Sequence, residues 1–440
     1  MRKFSLFFVA AAFLLTCSIP TWAGAGEPLA VRAVSENSAE AAAAVPELRK
    51  LGPAGLDALF TQYAAEIQSH LAGNPDINSA RWERIAAALD AVGQQRNSYS
   101  AHLYWYTDLE QAKAAARATN RPILSLRLLG DLTDEFSCAN SRFFRTVLYA
   151  NPAVAEYLRA NYILHWRSER AAPRIVIDYG DGRKLERTIT GNSIHYILDQ
   201  AGHPVDALPG LYGPGAFLPE LVRAAALVRS LNGKNADQRF AQLNEYHRMR
   251  MRETSAAWEA DLAAIGAKPR AEGSAIPLAR PGAVDAAPVA VTKAVVEFDM
   301  LKSITADTRR LESLTDLTAW NRIASRHLGN ASLDQNSQRL MQRELFPNRT
   351  GELTGAERDT LDAAVRKFQA NIALDTVRNE YTLRSQMHAW YVADGGYVDL
   401  ETLNERVYSK LFLTPKADPW LGLYNPEVYT GLENGGVTKP

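Results

Sequence analysis

Cys138 and Ser141 stand three residues apart in "FSCANSRFF", the one place in this chain where residue types and spacing suggest covalent chemistry. An apolar, strand-like run from Ile123 to Leu129 leads through an acidic loop to the cysteine. Beyond it Phe143, Phe144, Val147 and Leu148 recur at helical spacing. A cysteine that opens a helix has its thiolate favoured by unsatisfied backbone amides and by the helix dipole, which makes it a better nucleophile. Asp131, Asp134 and Glu135 lie just upstream and act in the opposite sense.

The only other cysteine is Cys17, inside the apolar N-terminal segment, so no second thiol is at hand to expel a bound client. Two readings stay open. Cys138 forms a mixed disulfide with glutathione or a client thiol while Ser141 hydrogen-bonds the sulfur, or it is a small apolar residue at a helix start with no redox use. His195 follows Ser193 by two residues on an alternating strand, a spacing that could turn its ring toward Cys138 for a Cys–His pair or a metal. A lone strand histidine is more often a hydrogen-bonded core residue. There is no metal-ligand spacing, Gly-rich phosphate loop or Gly-x-Ser-x-Gly elbow, and neither a cofactor nor a metal is expected.

The elements that must position these residues follow from composition and pattern. Arg2 and Lys3, the apolar run Phe4 to Leu15 and the small residues of "TWAGA" read as a signal peptide over residues 1–25, which directs the mature chain to the periplasm or beyond. The apolar run is too short for a membrane-spanning helix. An exported chain with one thiol has no intrachain disulfide and must rely on a packed core. Its 440 residues, 47% of them hydrophobic, suffice for two or three domains. Lys plus Arg equals Asp plus Glu at 49 each, so the basic surplus that nucleic acid binding needs is absent.

Residues 26–45, rich in Ala, Ser and Glu, read as a mobile leader. Residues 46–98 carry two amphipathic stripes, Leu56 to Leu71 and Trp82 to Val92, joined by "GNPDIN", and read as a helical hairpin. Over 99–232 helix and strand alternate. A capping box at Thr107 and Glu110 opens a helix, Asn151 and Pro152 open another, Gly180 to Gly182 turn a β-hairpin, and Pro214 starts a last helix. A long polar helix is expected over 233–264, an Ala/Pro-rich linker open to proteases over 265–293, and a helical domain with an irregular tail over 294–440. A capping box at Thr354 and Glu357 belongs to that last domain.

Residues about 101–232 resemble the thioredoxin-like superfamily. "LYWYTDLEQAKAAARATNRPILSLRLLG", "SCANSRFF" and "DPWLGL" are similar to a group of exported bacterial thioredoxin-like proteins. The fold class implied is an α/β thioredoxin-like domain, a central mixed sheet flanked by helices with an inserted hairpin. An N-terminal helical hairpin and a C-terminal all-helical domain would flank it. In that family a second cysteine occupies the place of Ser141, an aromatic residue often precedes the first cysteine where Ser137 stands here, and a cis-proline occupies the place of Ser193. The candidate catalytic residues are then Cys138, Ser141 and Ser193, and the partners a protein client or a low-molecular-weight thiol. With the resolving cysteine and the proline both absent, a noncatalytic binding or assembly module is the leading expectation and a monothiol oxidoreductase the alternative.

Overall fold

The structure, a computed structural model, describes residues 23–73, 79–267, 292–293, 297, 317–347, 349, 351–395, 398–424 and 431–437. Most of the expected signal and most of the expected 265–293 linker lie outside the described residues.

The chain begins with helices α1 (Ala23–Ala33) and α2 (Ser38–Lys50), the second capped by the Asn37 side chain. The expected leader is therefore helical. Ala30, Ala33, Val34 and Ala44 are buried against Leu56 and Leu59. Its apolar face is built of alanines, which favour helix but leave a faint hydrophobic stripe. Next come α3 (Pro53–Gln62), α4 (Ala64–Ala72) and α5 (Ser79–Gly93). The first stripe of the expected hairpin is thus two helices, broken at Tyr63, whose φ of −114° is not helical. Leu48, Ile67, Ile85, Leu89 and Val92 complete a core separate from that of the sheet.

Five strands form the main sheet: β1 (Trp105–Tyr106), β2 (Ile123–Leu129), β3 (Ile163–Arg170), β6 (Ile194–Leu198) and β7 (Pro204–Pro209), in the order β1-β3-β2-β6-β7. The first three run parallel, while β6 is antiparallel to β2 and β7 to β6. β2 is buried along its whole length, which is why it reads as a continuous apolar run and not as an alternation. A separate hairpin, β4 (Arg174–Asp178) with β5 (Lys184–Thr188), turns through Gly180 and Gly182, both at positive φ.

Flanking the sheet are α6 (Leu109–Thr119), α7 (Ala139–Phe144) with its π-turn continuation Arg145–Tyr149, α8 (Pro152–Asn161) and α9 (Pro214–Leu231). The cap of α6 is Asp108, which accepts from the amides of Glu110 and Gln111, and not Thr107. An aspartate one residue closer to the helix outcompetes the threonine.

Then follow α10 (Ala236–Ala264), α11 (Leu317–Arg326), α12 (Gln335–Leu345) and α13 (Gly355–Arg378), the last with the expected Thr354–Glu357 capping box. A π turn over Asn379–Arg384 joins α13 to α14 (Ser385–Ala393); α15 (Leu400–Arg406) runs into another over Val407–Leu411. These helices do not build a core of their own. Ile372, Met387, Leu403 and Val407 belong to the same buried cluster as Leu126, Leu128 and Ile197 of the sheet. An apolar helix face must be covered, and the sheet covers this one. No helix among the described residues is long and apolar enough to cross a membrane.

Candidate functional site

Cys138 is fixed by the chain on both sides of it. Its amide donates to the carbonyl of Leu129 at 3.1 Å, tying the start of α7 to the end of β2. Gly130 allows that closure: its φ is +75°, and a Cβ there would stand 2.9 Å from the Cα of Ser137. Cys138 itself occupies the N-cap position of α7, as its place in the sequence suggests. Across from it Gly191 has a φ of +91°, and a Cβ there would meet the Cβ of Cys138 at 3.3 Å. Glycine here lets Asn192 and Ser193 approach the cysteine.

The three candidate residues are brought together. Ser193 Oγ lies 3.1 Å from the sulfur and Ser141 Oγ 3.6 Å from it. The Ser141 hydroxyl donates to the carbonyl of Cys138 at 2.8 Å, which leaves its oxygen to accept from the thiol, while the Ser193 hydroxyl closes on the sulfur from the other side. Cys138, Ser141 and Ser193 are all 0% exposed, as are Ser137, Asn140 and Asn192 around them. Asn140 Nδ2 donates to Asn192 Oδ1 at 3.3 Å.

The cover comes from far along the chain. Tyr408, in the π turn after α15, donates its hydroxyl to the carbonyl of Asn192 at 3.0 Å. Burial pushes the Tyr408 phenol well above its ordinary pKa. Arg170, at the end of β3, donates to the carbonyls of Thr414 and Asp418, which pins the segment beyond Tyr408. The hollow beside it, lined in part by Arg170, Asn404, Tyr408 and Thr414, has a volume of about 20 Å³, room for little more than a water.

The acidic residues upstream are engaged elsewhere. Asp134 pairs with Arg174 and Glu135 with Arg96. Arg142, one turn into α7, donates to Thr188 Oγ1 at 3.0 Å, and burial lowers its pKa. His195 does not join the cysteine. Its Nε2 lies 2.7 Å from the hydroxyl of Tyr149, and its ring packs on Phe144 and Phe217. Burial lowers its pKa to about 3, so the ring is neutral. The two-residue spacing misleads because Ser193 precedes β6 and is outside the strand's alternation.

Asn140, Asn192 and Tyr408 were not singled out by sequence. The asparagines carry no local motif, and Tyr408 meets Asn192 across 216 residues. No protein-family model, curated protein or solved structure matches the chain.

Proposed function

We propose that this is an exported protein on a thioredoxin fold, working as a binding or assembly module and not through its thiol. Three features support the fold. The strand order and directions are those of a thioredoxin sheet, the β4–β5 hairpin takes the place of an insertion, and a cysteine caps the helix that follows β2. The charged and apolar pattern of residues 1–25 supports export. One observation carries the noncatalytic reading: Cys138 has no exposed surface, and a segment more than two hundred residues away is hydrogen-bonded to the loop beside it. A nucleophile must be reached by its substrate, and this one is fully buried.

The test is a thiol titration of the full chain with an aromatic disulfide reagent near neutral pH. Labelling that appears only with denaturant is the expected result; rapid stoichiometric labelling of the native protein sinks the reading. Monothiol exchange is the second reading, and the hydroxyl of Ser193 favours it, since it could donate to a thiolate. In it the Cys138 thiolate attacks oxidised glutathione, one glutathione leaves as thiolate, and a mixed disulfide remains. Its mark would be a native protein gaining the mass of one glutathione.

A further inference from the structure

Far from the cysteine, three metal-ligating side chains meet inside the protein. Asp206 of β7, His247 of α10 and His388 of α14 each offer a ligand atom, and these atoms lie within 4.8 Å of one another. The two imidazoles face each other through Nδ1 at 2.9 Å. We propose that Asp206, His247 and His388 form a site for zinc or a similar first-row divalent cation, which the sequence alone did not lead us to expect.

Ligand chemistry supports this. Two imidazole nitrogens and a carboxylate oxygen are a donor set suited to Zn²⁺, with a fourth position left for water or a hydroxyl. The three side chains are buried, so an ion held there would be shielded from solvent. Nε2 of His388 has no hydrogen-bond partner among the described residues, an uncommon state for a buried ring nitrogen. Asp206 already accepts from the Ala207 amide, the Tyr246 hydroxyl and Arg384. A carboxylate has about four lone-pair directions, so one remains for a cation.

Charge points the same way. Asp206, Glu220 and Glu380 surround Arg384, and Arg250 bridges Glu220 and Glu380. Glu253, the other partner of Arg250, is shared with Arg223. With Arg223 also beside Glu220, four carboxylates face three guanidiniums in this network. A divalent ion would supply positive charge and bind β7, α10 and α14 together as a staple, since metal-binding energy is then folding energy.

Because the cluster is enclosed, the full chain is unfolded with chelator, refolded with and without Zn²⁺, dialysed and assayed for bound metal; Co²⁺ serves as the spectroscopic probe. The expected result is about one equivalent of retained zinc, a raised unfolding temperature, and visible Co²⁺ absorption typical of a four-coordinate nitrogen and oxygen site. His247→Gln and His388→Gln should each weaken binding by more than about tenfold, whereas His203→Gln, which alters a half-exposed histidine beside Asp199, should leave it intact. If the two cluster variants do not fold, the wild-type Co²⁺ spectrum decides by itself. Wild-type protein without retained zinc and without that absorption, or cluster variants that bind as tightly as wild type, would overturn the proposal.

Discussion

Around Cys138 the buried polar atoms belong to hydroxyls, amides and a thiol; around Asp206 they belong to ions. The first set is neutral and joined by short links within α7 and the loop before β6, while Ser137 Oγ, Asn140 Oδ1 and Asn192 Nδ2 find no partner among the described residues. The second joins β7, α9 and the π turn Asn379–Arg384 through Arg384, which is fully buried and bound to Asp206 at 2.9 Å, Glu220 at 2.8 Å and Glu380 at 3.2 Å, and α10 through Arg250 and Tyr246. Burying a neutral hydrogen-bonded group costs little and yields little. Burying an ion makes every partner depend on it, because a lone charge left behind has no water to turn to. The ionic centre therefore fixes how distant elements cross, and the neutral one tolerates change.

The largest test of that contrast is Arg384→Met. It strands Asp206 in the interior, and the chain should lose about 3–5 kcal/mol, seen as a fall in the denaturant midpoint. A loss no larger than that of the neutral-site variants below would erase the distinction.

Acid separates the centres next. His165, His195 and His247 are buried, with pKa values lowered to about 3, 3 and 4. Below an unfolded value of about 6.5 the unfolded chain takes up protons that the folded rings refuse, so stability falls as pH drops from there toward 4. For each ring the loss should be about 2 kcal/mol at pH ~5. Burial alone would raise the Asp206 carboxyl, but Arg384, the two histidines and the Tyr246 hydroxyl together hold it far below its usual range, and the stability this adds is lost only below an unfolded value of about 4. Denaturation midpoints from pH 7.5 to 5 check this; a flat profile would contradict buried neutral histidines.

Two smaller changes probe the neutral site. Tyr408→Phe removes the bond to the Asn192 carbonyl and should cost about 1 kcal/mol. If opening at that turn admits reagent, it should also quicken labelling of Cys138 by about fivefold. Ser193→Ala removes one hydroxyl from the sulfur and should cost only about 0.5 kcal/mol, with labelling scarcely altered because the cover stays in place.

Local features were legible in the sequence. The apolar run of β2, the turn at Gly180 to Gly182, the Thr354–Glu357 box and the place of Cys138 at a helix head each depend on a few neighbouring residues. The alanine face of α1 and α2 was not, because alanine serves helix and linker alike. Nor was the union of the ionic centre, whose partners Asp206 and Arg384 are 178 residues apart and share no pattern. Amphipathic helices announce that they will be covered but not by what, which is why α13 to α15 read as a separate domain and instead share the core of the sheet.

The distance between Asn192 and Tyr408 sets a clock. The cysteine, its serines and the strands beneath them are synthesised first, and the residue that closes over them follows Asn192 by 216 positions. At ordinary elongation rates that interval is about ten to forty seconds. During it the carbonyl of Asn192 lacks its Tyr408 partner, so this tie between the loop beside Cys138 and the C-terminal half is among the last links the chain can form.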